Sequence, residues 1–168
     1  MYSFKKVKGL DIALAAIAEA RKIVPELRVV AFGLRDPASD EGALPEETDY
    51  FRRPTQAEIP GIYAKCDVWL CSSWAEGFGL PILEAMACRC PVVSTRVGGA
   101  VDLLEPGVTG WFVEPGDSEA LGRHIADVAQ LSAEAWQTMS DEAYARARSY
   151  TWEDATDAFE ALLAAKPA

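Results

Sequence analysis

Apolar and polar positions follow two periods along this chain, and their order predicts an α/β domain. Leu10, Leu14, Ile17 and Val24 keep the spacing of one helical face, and Pro25 ends that helix. The valine-rich run Leu27 to Phe32 reads as a buried strand closed by Gly33, and Asp49 to Arg52 as a short strand. Thr55 and Glu58 form a capping-box pair that opens a helix to about Cys66. A strand over Val68 to Ser73, a helix from Pro81 to about Cys88, a strand over Pro91 to Thr95, a short helix over Gly98 to Leu104 and a strand over Gly110 to Val113 follow. Asp117 caps a helix whose buried stripe is Leu121, Ile125, Val128 and Ala129, and a further helix covers Ala133 to Ser149. Thr151 caps the last helix, with Asp154 three residues on and Trp152, Ala155, Phe159 and Leu162 predicted on its inner face.

Apolar strands alternating with amphipathic helices predict a doubly wound parallel sheet with helices on both faces. Arg35 to Glu47, rich in Pro, Asp, Glu and Gly, reads as a surface loop. With no internal repeat, low-complexity tract or linker, residues 1–168 read as a single domain. A chain of 168 residues buries about two-thirds of its extended surface. No apolar run approaches the roughly 20 residues that span a bilayer, and the first residues lack the apolar core of a secretion signal. A cytoplasmic location is therefore expected.

The net charge of -10 disfavours nucleic acid and anionic membranes as partners, since both reward clustered Lys and Arg. Arg52 and Arg53, at a strand end, are a local exception and candidate contacts for an anionic ligand. Cys66, Cys71, Cys88 and Cys90 read as free, largely buried thiols. The Cys88-x-Cys90 spacing lacks a second pair or a nearby His, so no metal site is expected. His124 lies beside an apolar helical stripe, where a structural or surface role is expected.

The chemistry is concentrated in Glu76-Gly77-Phe78-Gly79-Leu80-Pro81-Ile82-Leu83-Glu84. The two glycines let the backbone turn sharply and approach a ligand, and Pro81 suits the first turn of the helix that follows. The unpaired amides at that helix start form an anion site. Side chains on a helix lean toward its N-terminus, so Glu84 points back at the same opening. Two carboxylates flanking backbone donors suit a ligand with phosphate in the middle and hydroxyls at both ends, such as a nucleotide sugar.

The order of these residues resembles the donor site of retaining, two-Rossmann-domain (GT-B type) glycosyltransferases of family 4, or group 1, which include glycogen synthases, sucrose synthases and bacterial mannosyl- and glucosyltransferases. The likeness continues through Glu84-Ala85-Met86-Ala87, Cys90-Pro91-Val92-Val93, Gly98-Gly99 and Gly107 to Asp117. It implies that Glu76 touches the transferred sugar and Glu84 holds the ribose. It further implies that the backbone of Gly77, Phe78, Gly79 and Leu80 approaches sugar and diphosphate. Lys8, in Lys8-Gly9, maps onto a lysine that neutralises the diphosphate as it leaves, so Glu76 and Lys8 are the catalytic candidates. Gly98 and Gly99 are candidate phosphate donors, and Arg52 and Arg53 stand where the base is expected. The resemblance further implies a nucleotide diphosphate sugar as donor, used without metal or other cofactor, and transfer of a hexosyl group.

Three departures from the family pattern stand out. No arginine precedes Lys8; Arg89 occupies a position commonly held by Gly; Asp102 replaces a Glu. Arg89 should adopt a positive φ, and Arg89→Gly is expected to raise stability and leave nucleotide binding intact. The family's sheet has six strands, and the first, which would precede Lys8, is expected to be truncated here. The family's acceptor site lies on an N-terminal Rossmann domain, so this chain reads as the C-terminal half of a larger enzyme, binding nucleotide weakly and inactive alone. A non-catalytic nucleotide-sugar-binding or partner-docking module is the alternative, and a doubly wound domain for another phosphorylated ligand is a third reading.

Overall fold

The structure, a computed structural model, describes residues 2–3, 5–37 and 43–165. Residues 38–42, within the segment read as a surface loop, lie outside the described residues. A single 3-10 turn (Lys6–Lys8) precedes α1 (Leu10–Ile23), β1 (Val30–Gly33) and β2 (Asp49–Arg52). Then come α2 (Ile59–Tyr63), β3 (Trp69–Cys71), α3 (Leu80–Ala87), β4 (Val92–Thr95), α4 (Ala100–Leu103) and β5 (Gly110–Val113). Three helices close the described chain: α5 (Ser118–Ala129), α6 (Ala133–Arg148) and α7 (Trp152–Ala164). Among the described residues no helix is long and apolar enough to cross a membrane.

Every strand pairing is parallel, β1 with β2 and β3 with β4 with β5. Successive residues of a strand face opposite layers, and β4 displays this at its centre. Val92 is buried in one core with Ile82, Met86 and Leu103, while Val93 joins Ala16, Leu121 and Ile125 in the other. Helices α3 and α4 thus cover one face, and α1 and α5 the other, as the alternating periods predict. Small residues let α1 and α5 approach closely: a Cβ on Gly122 would lie 2.5 Å from that of Glu19.

The strands form two sheets rather than one. The edges of β1 and β3 that have no strand partner among the described residues both border a cavity of about 770 Å³, walled by Val30 and Ala31 on one side and by Val68 and Leu70 on the other. Ala13 and Ile17 of α1 and Ile125 of α5 also line it. The carbonyls of Val29 and Gly33 accept from the β2 side, so Val30 and Phe32 turn their backbone toward the cavity. Tyr2 sits at its far end and donates its amide to the Phe32 carbonyl at 2.7 Å.

Two helices differ from expectation. The helix predicted from Thr55 to Cys66 is regular only over Ile59–Tyr63. The Glu58 carboxylate does accept the Thr55 amide and hydroxyl at 2.7 and 2.8 Å, but Pro60 and Gly61 leave only a short regular stretch after that turn. The inner face expected of α7 is not inward: Trp152, Phe159 and Leu162 are 85, 62 and 74% exposed. Thr151 nevertheless caps α7 as predicted, accepting the Asp154 amide. Arg89 ends α3 with φ 63°, the conformation the glycine-like position calls for.

Candidate functional site

The motif hinge follows the carboxyl end of β3. Gly79, with φ 87°, is the N-cap of α3, a backbone shape an L side chain resists. The Gly79 and Leu80 amides have no hydrogen-bond partner among the described residues, the state expected of donors in a first helical turn. A Cβ at Gly77 would meet nothing within 4 Å, so the backbone there is open to an approaching ligand. Phe78 and Leu80 are exposed beside it.

Lys8 reaches this hinge from 68 residues away. Its Nζ donates to both Glu76 oxygens at 2.7 and 2.8 Å, and Ser73 Oγ donates to Glu76 Oε1 at 2.6 Å. The Lys8 and Glu76 side chains are 25 and 12% exposed. Burial alone would raise the Glu76 carboxyl, but the Lys8 and Ser73 hydrogen bonds together hold it below its ordinary value. The backbone around Lys8 is fixed by Gly9, whose φ is 59° and whose missing Cβ would lie 2.1 Å from the Ser72 carbonyl oxygen. Ser72 Oγ donates to the Gly9 carbonyl at 2.8 Å. The serine pair thus works in two directions: Ser72 holds the Lys8-Gly9 turn, and Ser73 holds Glu76.

Gly98 and Gly99 buttress the hinge from β4. The Gly99 amide donates to the Phe78 carbonyl at 2.7 Å, which corrects the expectation that it is a free phosphate donor. A Cβ on Gly98 would stand 2.4 Å from the Gly77 carbonyl oxygen, and one on Gly99 2.7 Å from that of Phe78. These glycines are required for contact between loops.

Glu84 lies one turn into α3, exposed, and is held by a residue that sequence reading missed. Tyr63 of α2 donates its hydroxyl to Glu84 Oε2 at 2.9 Å. No local pattern links positions 63 and 84; the signal was an aromatic polar tip inside an apolar run. Arg52 and Arg53 stand at the carboxyl end of β2. Arg52 pairs with Asp36 at 3.1 Å. Arg53, with φ 49°, gives its Nε to the Leu34 carbonyl. Among the described residues neither bonds to Lys8, Glu76 or Glu84. His124 stacks on Trp111 at 4.5 Å and pairs with Asp127, a structural role. Cys66, Cys71, Cys88 and Cys90 are free thiols, and no group of three or more potential metal ligands occurs among the described residues. Most of these candidate groups follow the carboxyl ends of parallel strands, the edge where open α/β sheets bind ligands.

The same fold occurs in proteins of known class. Residues 1–146 match the family described as glycosyl transferases group 1, and the chain belongs to that family. It is 33% identical over 166 residues to a D-inositol 3-phosphate glycosyltransferase of Segniliparus rotundus, covering 90% of this chain and 36% of that protein. It is 43% identical over 82 residues to a sucrose synthase of Acidithiobacillus caldus, covering 46% of this chain and 10% of that one. The sucrose-phosphate synthase of Thermosynechococcus elongatus superposes with a TM-score of 0.76 at 27% identity, over 97% of this chain and 44% of that chain. The C-terminal domain of a glycosyl transferase group 1 family protein (LpcC) of Francisella tularensis has the same fold, with a TM-score of 0.73 at 24% identity over 87% of this chain and 80% of that one. The domain is thus Rossmann-like and of the GT-B kind. The chain spans less than half the length of the S. rotundus and T. elongatus proteins.

Proposed function

We propose that this domain binds the nucleotide diphosphate sugar donor for a retaining hexosyl transfer. The observation that carries the reading is the Lys8–Glu76 pair, held by Ser73 beside an open glycine backbone and the free amides at the start of α3. An incoming diphosphate competes for Lys8 and releases Glu76 to accept hydrogen bonds from the sugar hydroxyls. As the nucleoside diphosphate departs it gains charge, and Lys8 with the α3 amides stabilises that charge without a metal. Glu84 accepts from the ribose hydroxyls, and the base lies toward Arg52 and Arg53.

Transfer itself requires the half that carries the acceptor site, an N-terminal Rossmann domain in this reading. The exposed apolar side chains of α7 suit contact with such a half. Alone, the domain binds nucleotide weakly and transfers nothing. Calorimetric titration with uridine, guanosine and adenosine diphosphates tests the reading. One of them is expected to bind, and Glu84→Ala to weaken it by about 1.5–3 kcal/mol, the range for a hydrogen bond to a charged group. Failure of all three to bind would remove the donor-site assignment.

A further inference from the structure

Glu84 projects from an exposed helix face, where a carboxylate ordinarily turns freely among rotamers. Here it does not stand alone. The Tyr63 hydroxyl donates to Oε2 at 2.9 Å, and Tyr63 itself is fully buried. Its ring is packed edge-on against Phe32 at 5.8 Å and against Trp69 at 4.8 Å, so the phenol has no room to swing. Burial, and then the adjacent Glu84 carboxylate, push the phenol far above its ordinary pKa. It therefore stays protonated, and a donor, at neutral pH and well above it. The bond is charge-assisted and fixes one carboxylate oxygen.

We propose that Tyr63 is a positioning residue that makes this site selective for ribose over 2′-deoxyribose by locking the Glu84 carboxylate. This rests on the reading of Glu84 as the ribose contact. A carboxylate accepts about four hydrogen bonds. Tyr63 uses one, on Oε2, and leaves Oε1 to face a vicinal diol. A site rejects an analogue lacking a hydroxyl when its own polar group cannot turn elsewhere. Unlocked, an exposed Glu84 would swing to water, and the penalty for a missing 2′-hydroxyl would vanish. Locked, it cannot follow.

The test is calorimetric titration of the domain with the preferred nucleoside diphosphate and its 2′-deoxy form. The wild type is expected to prefer the ribonucleotide by about tenfold, the effect of one charge-assisted hydrogen bond. Tyr63→Phe keeps the ring packing and is expected to bring that preference close to unity while leaving the order of base preference unchanged. Glu84→Gln reads the same lock from the other side. Its amide oxygen would be captured by Tyr63 and its NH₂ would face the diol, a neutral donor in place of a charged acceptor, so the ribose preference should fall below that of the wild type. Wild-type ribose preference retained in either Tyr63→Phe or Glu84→Gln overturns the positioning role. Ribose preference absent from the wild type removes Glu84 from the ribose, and absence of any nucleotide binding removes the donor site itself, so the failures are distinguishable.

Discussion

Glu76 is stabilised by partners that favour its charged form, and a fall in pH removes that charge. Its folded pKa lies below the ordinary value because Lys8 and Ser73 outweigh burial. The sign follows: a lowered carboxyl contributes its full stability above the ordinary glutamate value of about 4.3 and loses it as pH falls through the lower, folded value. Glu76→Gln is therefore expected to destabilise the domain at pH 7 by about 1–2 kcal/mol, toward the low end because Lys8 remains partly solvated. Urea denaturation across pH should show the two proteins converging below pH about 4; a gap that stays constant would show that the charge of Glu76 is not what stabilises. Arg89 shows how one residue carries opposed effects. The sequence correctly implied a positive φ there, a strain of about 1–2 kcal/mol that Gly would relieve. It could not reveal that the Arg89 side chain pairs with Asp141 and lies 4.3 Å over the Tyr144 ring. Those contacts offset the strain, so Arg89→Gly should leave the melting temperature near that of the wild type instead of raising it. Arg89→Ala, which loses the contacts and keeps the strain, should melt lowest of the three.

Elements were legible where their signals are local. The start of α3 follows from Gly79 and Pro81, its end from the turn at Arg89, and α5 from its apolar spacing and the capping residue Asp117. The strands over Asp49–Arg52 and Gly110–Val113 were found with their bounds, while others were read too long: Leu27 to Phe32 reads as continuous strand, yet the ladder runs only over Val30–Gly33. Pairing partners decide where a ladder stops, and they are distant in sequence. The same limit hid the joins between elements. Nothing in the local pattern ties Lys8 to Glu76, Tyr63 to Glu84, or Gly99 to Phe78, because each pair meets only when several strands have ordered their carboxyl ends along one edge. For α7 the period correctly gave an amphipathic helix, but a period cannot say what covers the apolar side. Within the described chain nothing does.

The whole molecule is a doubly wound domain opened along one line. Parallel sheets are stable when their backbone ladders are continuous and both faces are covered. Here, among the described residues, β1 and β3 each present an edge without a strand partner to the same cavity of about 770 Å³. The chain already enters its far end, where the Tyr2 amide bonds to Phe32. From there it passes through Lys8 to α1, which packs beneath the cavity and leads to β1, the path of a strand–helix–strand unit whose first strand would lie parallel to both edges. An apolar, β-branched segment of about five residues joined ahead of Tyr2 has the length of an ordinary strand and would pair on both sides. Each buried Val or Ile contributes about 1.5–3 kcal/mol, against roughly 1–2 kcal/mol per residue for ordering the backbone, and the completed ladders satisfy amides that now lack partners. Such an extension is expected to raise the urea midpoint and also the slope of the unfolding transition, because the slope scales with the surface exposed on unfolding. A control segment with proline at alternate positions cannot complete the ladders and should leave both quantities unchanged. If the apolar extension behaves like its proline control, the cavity is not a strand site, and the separation of the two sheets belongs to the stable form of the domain.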